Sequence, residues 1–260
     1  MYYPKQIPYL LDQEYKKYID YREYHIKELS DYCMCIWEMR SRIDFDKTIY
    51  NNILPDACID IVVDFLNKTI CFAGFSAETE PMQLHDKIDS MGVRLKPGAF
   101  KAIFHLNADD IMDNPIPFGE IEKDCDLTII FSNISSEVRI SVLKKYLLDK
   151  ISDAEDTTFI EIVDNLYQNP QDQKVHDIAT HFHYNQRQLF RMFKKHYGIS
   201  PKVLLNILRL HLCLTLILEG QAELIDISMR CGFYDQAHFI KEIKRYTGIS
   251  PLQLLKAIRD

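Results

Sequence analysis

The chain has 260 residues, a formal net charge of −7 and 47% apolar residues, enough bulk for about two packed cores. No run of about 18 apolar residues marks a membrane span, and the opening Met1-Tyr2-Tyr3-Pro4-Lys5 is not a secretory leader, so a cytosolic protein is expected. Its seven cysteines are odd in number and scattered, which argues against a disulfide framework and for reduced, mostly buried thiols.

Tyrosines crowd the N-terminal end at positions 2, 3, 9, 15, 18, 21, 24 and 32. Amphipathic packing at a domain edge accounts for them better than a ring-lined ligand pocket. Residues 31–39 read as a strand carrying Trp37, the only tryptophan. Two β-rich runs, 55–65 and 68–75, flank the turn-like Asn67 and predict a hairpin. Residues 82–85 and 90–95 look like a second strand pair around 86–89, and the break at Lys96-Pro97-Gly98-Ala99-Phe100 leads into a short helix through Phe104, where the sheet is expected to end. Helical periodicity returns over 136–150, where Val138, Leu143, Tyr146 and Leu147 share a face, and again over 158–167. Between them the polar, acidic stretch 152–157 marks a boundary. The expected division is a sensor or oligomerisation domain over 1–151, a linker and helix over 152–169, and a DNA-binding domain over 170–260.

The last third contains an internal repeat. Residues 197–205, Tyr-Gly-Ile-Ser-Pro-Lys-Val-Leu-Leu, match residues 247–255, Thr-Gly-Ile-Ser-Pro-Leu-Gln-Leu-Leu, across a shift of 50. In each copy the glycine suits the left-handed position past a helix end, the serine caps a new helix and the proline fits its first turn. Upstream, Phe190-Arg191-Met192-Phe193-Lys194-Lys195 aligns with Ile240-Lys241-Glu242-Ile243-Lys244-Arg245. Asp177-Ile178-Ala179 and Asp226-Ile227-Ser228 align at a shift of 49, so the second turn carries one extra residue. Each unit therefore predicts a helix-turn-helix: supporting helices over 175–182 and 224–230, and reading helices over 186–196 and 235–246. Residues 201–219 predict a connecting helix of roughly 28 Å at ~1.5 Å per residue, a spacer that puts two reading helices in successive major grooves. Charge agrees: residues 170–260 hold 13 Lys and Arg against 8 Asp and Glu, a net of +5, which leaves −12 on the remainder.

Ile178-Ala179, Arg187, Leu189, Arg191, Phe193, Gly198 and Ser200-Pro201, followed by Ile227, Gly232-Phe233, Asp235-Gln236, His238-Phe239, Lys244, Gly248 and Ser250-Pro251, resemble the DNA-binding domain of the AraC/XylS family of bacterial transcription regulators. The resemblance implies that Gln186, Arg187, Phe190 and Arg191 in the first unit, and Gln236, Ala237, Ile240 and Lys241 in the second, lie at the positions that touch base edges. There Arg187 suits a paired hydrogen bond to guanine and Gln236 one to adenine, each such pair contributing ~1–3 kcal/mol of discrimination. Phe190, Ala237 and Ile240 can only touch thymine methyls or pack, and core packing is an equal reading for Phe190 and Ile240. Lys194, Lys195, Lys244 and Arg245 are expected at phosphates or in solvent. Residues 55–60 together with 93–100 resemble an N-terminal domain attached to AraC-type regulators, in which the position of Ala57 is commonly glycine.

A catalytic front domain is the minority reading. Asp56, Cys58 and Asp60 crowd together, but the alternation of a strand explains them, and Cys33-x-Cys35 lacks a second ligand pair at zinc spacing. His181, His183, His196, His211 and His238 lie on different helices without paired ligand spacing, so no metal and no cofactor are expected. If the front domain holds a small-molecule effector, Trp37 and Arg94 are the candidate ligand-binding residues, Arg94 meeting either an anionic ligand or a carboxylate of its own domain. The expected fold is thus an α+β N-terminal domain, β-rich and with a barrel among the closures open to it, followed by an all-α domain of two helix-turn-helix units joined by a long helix. The expected function is a non-enzymatic, cytoplasmic, sequence-specific transcription regulator, an activator. Its partners would be double-stranded DNA, RNA polymerase, an effector and a second copy in a homodimer, with no membrane. A constitutive regulator whose front domain only dimerises, or a cysteine-dependent alkyl acceptor, are the alternatives.

Overall fold

The computed structural model describes residues 2–259 except 5, 10, 11, 13, 76, 113, 133, 134, 171, 172, 221 and 222. Helix α1 (Tyr15–Tyr18) precedes strands β1 (Ile19–Tyr24), β2 (Cys33–Ser41), β3 (Ile49–Ile53), β4 (Ile59–Asp64), β5 (Thr69–Ala73), β6 (Glu80–Leu84) and β7 (Asp89–Leu95). Then come α2 (Ala99–Phe104), β8 (Ile116–Pro117) and α3 (Phe118–Ile121). The helical half is α4 (Ser136–Ile151), α5 (Thr158–Gln168), α6 (Val175–His181), α7 (Gln186–Tyr197), α8 (Pro201–Glu219), α9 (Leu224–Arg230), α10 (Gln236–Thr247) and α11 (Pro251–Arg259).

Six strands form one antiparallel sheet in the order β1-β2-β7-β4-β5-β8, while β3 and β6 pair separately as a two-stranded ribbon. Among the described residues nothing pairs β8 with β1, so the β-rich half is an open sheet faced by a ribbon and not a barrel. The hairpin around Asn67 is present as β4 and β5, paired from Asp60–Ala73 to Asp64–Thr69. The second expected strand pair is not: β6 pairs with β3, and β7 lies between β2 and β4. Short sequence separation favours a hairpin only where nothing better covers the strand. In β7, Met91, Val93 and Leu95 are all fully buried, and a central position is what covers them. The sheet also continues past residue 100, because β8 pairs Ile116 and Pro117 with Phe72 and Cys71.

Alternation along the strands divides the sheet into two unlike faces. Ile36, Ile59, Ile61, Val63, Phe72, Met91, Val93 and Leu95 point to a core shared with α2, α3 and α4. Trp37, Met39, Cys58, Asp60, Val62 and Arg94 take the opposite face, toward the ribbon. Trp37 stands across from Gly92 in the register, and its indole fills the space a Cβ at 92 would need, at 2.4 Å. On α4 the inward face holds Leu143, Tyr146 and Leu147 as expected, but Val138 is exposed and Arg139 is buried instead. The reason is electrostatic. Arg139 reaches Asp89 with Nη1 at 2.7 Å from Oδ1 and Nη2 at 3.1 Å from Oδ2, and its guanidinium lies 3.3 Å from the centre of the Phe65 ring.

Helix α8 is long and apolar enough to cross a membrane by length and composition, yet here it is largely buried within the helical half. The two halves of the chain pack on each other closely. Tyr2 donates its hydroxyl to the Asp56 carbonyl at 2.7 Å, and the His211 ring on α8 pairs with the Pro55 carbonyl at 2.8 Å. Gly198, past the end of α7, lies against the Met112 side chain and the Ala108 carbonyl, close enough that a Cβ would meet the Met112 sulfur at 2.5 Å.

On the same side, Phe159 of α5 stacks on His196 of α7 with ring centres 3.6 Å apart, and its carbonyl accepts the Tyr197 hydroxyl at 2.5 Å. Burial pulls the His196 ring down from 6.5 to about 4, against the opposing charge of Asp156. Because the fold holds the neutral ring, this contribution is fully present above 6.5 and is lost as the pH falls from there through about 4. His196→Phe keeps the stack and removes the titration, so urea unfolding across that pH range should show a shallower acid-side loss for the variant than for the wild type.

Candidate nucleic-acid interface and sensor cavity

The first helix-turn-helix is built from α6 and α7. Ile178 and Ala179 bury the inner face of α6, and the Tyr184 amide donates to the Ala179 carbonyl at 2.9 Å to close the turn. Asn185 then caps α7: its Oδ1 accepts from the Gln188 amide and the Gln188 Oε1 accepts from the Asn185 amide, both at 2.9 Å. The Asn-x-x-Gln spacing carried this capping box in the sequence, although the expected site did not include either residue. Leu189, Phe193, His196 and Tyr197 turn inward. Gln186, Arg187, Phe190, Arg191 and Lys195 turn outward, and Phe190 is 49% exposed, so core packing does not explain it. Lys194 lies at the helix end, where its Nζ donates to the Gly198 carbonyl at 3.0 Å.

The second unit, α9 and α10, repeats the build. Ile227 and Ser228 are buried on α9, and the Phe233 amide donates to the Ser228 carbonyl at 3.1 Å. Asp235 caps α10 by accepting from the His238 amide at 2.7 Å. Phe239, Ile243, Tyr246 and Thr247 face inward, whereas Gln236, Ala237, Ile240, Lys241 and Lys244 are exposed, Ile240 at 40%. Both reading helices end at a glycine in the left-handed region, Gly198 at φ +70° and Gly248 at +78°. The outward faces of α7 and α10 therefore carry the eight expected base-edge positions together. Arg245 differs from its neighbours: it reaches across to Glu78 of the front half at 2.7 Å, and the adjoining Thr79 hydroxyl donates to the Tyr246 carbonyl.

Trp37 and Arg94, the two candidate ligand-binding residues, line one cavity of about 360 Å³ between the large sheet and the β3–β6 ribbon. Trp37 Nε1 donates to Asp60 Oδ2 at 2.8 Å. Arg94 is held within its own domain, with Asp56 at 3.3 Å, Asp60 at 3.2 Å and Glu23 at 3.7 Å. Burial weakens the guanidinium's hold on its proton, but the charges of Asp60 and Asp56 outweigh this and raise its pKa well above the usual value. Asp56 also accepts from the Cys58 amide at 2.9 Å, the role of a carboxylate at the start of a strand. Asn52 lines the same cavity from the ribbon and had no sequence signal, since nothing in residues 49–53 announces a cavity wall. The thiols are unsuited to attack: burial pushes Cys33 up to about 12 and raises Cys35 and Cys58 as well. Among the described residues, no three His, Cys, Asp or Glu side chains converge as a metal site.

A family model described as a helix-turn-helix domain matches residues 178–257, and one described as a domain of unknown function, DUF6597, matches residues 26–117. The chain is 36% identical over 74 residues to the HTH-type transcriptional activator RhaS of Escherichia coli O139:H28, covering 28% of this chain and 27% of RhaS. It is 25% identical over 142 residues to the probable transcriptional regulator LumQ of Photobacterium leiognathi, covering 54% of this chain and 57% of LumQ. The chain thus spans between about a quarter and three-fifths of these relatives. Among solved structures, ToxT of Vibrio cholerae O395, bound to (E)-4-(8-methylnaphthalen-1-yl)but-3-enoic acid, aligns over 93% of this chain and 99% of its own at 12% identity and a TM-score of 0.45.

Ala57 is the strained link beside the cavity. It holds φ +60°, in the left-handed region, with its methyl buried between Asp56 and Cys58. That conformation costs an alanine ~1–2 kcal/mol, and removing the buried methyl forfeits ~0.8 kcal/mol, so the two effects of Ala57→Gly nearly cancel. Thermal unfolding should therefore place Ala57→Gly within about 1 kcal/mol of the wild type, whereas Ala57→Val, β-branched and overpacked, should lose about 3 kcal/mol or more.

Proposed function

We propose that this chain, which belongs to the AraC/XylS family of transcription regulators, binds its promoter through α7 and α10 in two successive major grooves. The observation that carries this is the matched orientation of the two units. In each, a capped helix buries one face on its supporting helix and exposes a polar and basic one.

Arg187 is the guanine reader and Gln236 the adenine reader, with Gln186, Arg191 and Lys241 beside them on the same exposed faces. Phe190, Ala237 and Ile240 supply apolar contact to thymine methyls, an assignment supported by the exposure of both large side chains. Lys195 and Lys244 meet phosphates. Lys194 joins them only by releasing the Gly198 carbonyl, so its part is the smaller one. The net charge of −12 on residues 1–169 makes that part a poor partner for DNA. Its work is regulation, through an effector in the cavity or through self-association. Activation by recruiting RNA polymerase in a bacterial cytoplasm fits the description of RhaS as an activator. The working division is 1–151 for regulation, 152–169 for the link and 170–260 for DNA.

Contact between the halves is what lets the first act on the second. Glu78 and Thr79 hold the C-terminal end of α10, and residues 108–112 and Phe159 hold that of α7. A shift of the front half would therefore change how the ends of the two reading helices are held against it.

Selection of bound sequences from a random DNA pool by the full chain tests the reading. Enrichment of one motif with two contact blocks about ten base pairs apart is expected, and no enrichment would overturn it. Arg187→Ala should then weaken binding to the selected site by roughly 10-fold or more while barely changing affinity for random DNA. Lys195→Ala should weaken both alike and lower the salt dependence by about one counterion. Equal losses for Arg187→Ala on both DNAs would remove it from the base-reading set.

A further inference from the structure

The cavity between the sheet and the ribbon has an unbalanced charge. One guanidinium, Arg94, faces three carboxylates, those of Asp56, Asp60 and Glu23, and each of its nitrogens is directed at one of them. Glu23 is further occupied by the hydroxyls of Tyr3 and Tyr21, and Asp60 by the Trp37 indole. An acid entering here would meet a guanidinium already engaged by Asp60 and Asp56 and a surplus of negative charge. Burying such a surplus is costly, and burial accordingly raises the pKa of both Asp56 and Asp60. Asp60 nonetheless keeps 17% of its side chain accessible as part of the cavity lining.

Across from this cluster the ribbon presents Asn52. It is 1% exposed, lines the cavity, and neither atom of its amide has a hydrogen-bond partner within the protein. A buried primary amide with both ends open is the exception in folded proteins and calls for a partner in the space it faces. Between the two polar ends the walls are apolar: Met39, Val62, Phe75 and Met82. The volume, about 360 Å³, lies in the range of small-ligand sites.

We propose that this cavity binds a small organic cation, an ammonium or amidinium on an apolar body, with its charge beside Asp60 and Asp56 and a polar group met by the Asn52 amide. The proposal rests on the reading of the front half as the regulatory half and supplies the class of its effector. A cation here restores charge balance, and the Trp37 ring adds attraction for it. Occupancy is transmitted by the segment that carries Asp56. The carbonyl of Pro55 meets His211 on α8 and that of Asp56 meets Tyr2, so a shift of Asp56 toward a ligand pulls on the helix that joins the two helix-turn-helix units.

The test is a titration of the full chain at neutral pH with phenethylammonium, phenethyl alcohol and phenylacetate, three molecules with one aromatic body and different charge. Trp37, the only tryptophan, reports by fluorescence and calorimetry gives the stoichiometry. Saturable one-to-one binding of the ammonium is expected, with the alcohol and the acid weaker by about tenfold or more. Asp60→Asn should shrink that preference to about threefold or less, and Asn52→Trp should abolish binding by filling the cavity. The wild-type series decides by itself should either variant fail to fold. Phenylacetate binding as tightly as the ammonium, or no saturable response to the ammonium by about 10 mM, would overturn the proposal. The DNA selection is run without any of these molecules, so its failure would sink the regulator reading and leave the cavity result standing.

Discussion

Burial of helix α8 is the constraint on which the rest of this structure depends. Thirteen of its nineteen residues are apolar, and apart from the stripe of Lys202, Asn206 and Arg209 most of its circumference must be covered. Its first half joins the core that holds Leu189 and Phe193 of the first helix-turn-helix, and its second half joins the core that holds Phe239 and Ile243 of the other. Neither unit has a sufficient core alone, since each reading helix has only one buried face. The two units are therefore positioned by the same helix, and their separation is set by the rigidity of a packed rod and not by a linker.

The front half completes that cover. Ile7 and Leu54 join the core around the second half of α8, and Pro55 and Tyr2 meet His211, the buried polar residue of the helix. A histidine buried in an apolar helix needs a hydrogen-bond partner, and a carbonyl from the front half provides it. That hydrogen bond joins the halves beside the contacts at Gly198, His196 and Tyr246. The sheet shows the same logic on its two faces. One face is mainly apolar and packs on helices, with Glu38 and Asp89 met there by Ser136 and Arg139 of α4, whereas the other carries the Arg94 cluster, whose buried charges tolerate their position only because they are paired with one another.

The helical third was legible in the sequence to within a residue or two at each helix end. Caps, glycine stops and apolar spacing act within a few residues, and the repeat printed each signal twice. The outward face of the reading helices followed from the same periodicity, with one qualification. Phe190 and Ile240 could not be assigned inward or outward from hydrophobicity alone, because each adjoins a better core residue, Leu189 or Phe239, and only the packing showed which of the two was buried.

In the front half the reading was coarser. The β4–β5 hairpin was legible because its turn is local, and so were the short helix at Ala99 and the alternation that gathers Cys58 and Asp60 on one face. Partners that are distant in the chain were not. The pairing of β3 with β6, the central place of β7, and the inward turn of Arg139 in place of Val138 depend on Phe65, Asp89 and strands far removed in sequence. The sequence by itself determined the helices of the last third, where they begin and end, and most of the residues that the two helix-turn-helix units present. Only the tertiary structure decided that Arg94 is spent on Asp56 and Asp60, that Asn52 faces a cavity, and that Pro55 meets His211. Local signals are written in the spacing of neighbours, whereas register and buried charge pairing are settled by the competition among all the strands and helices that come together.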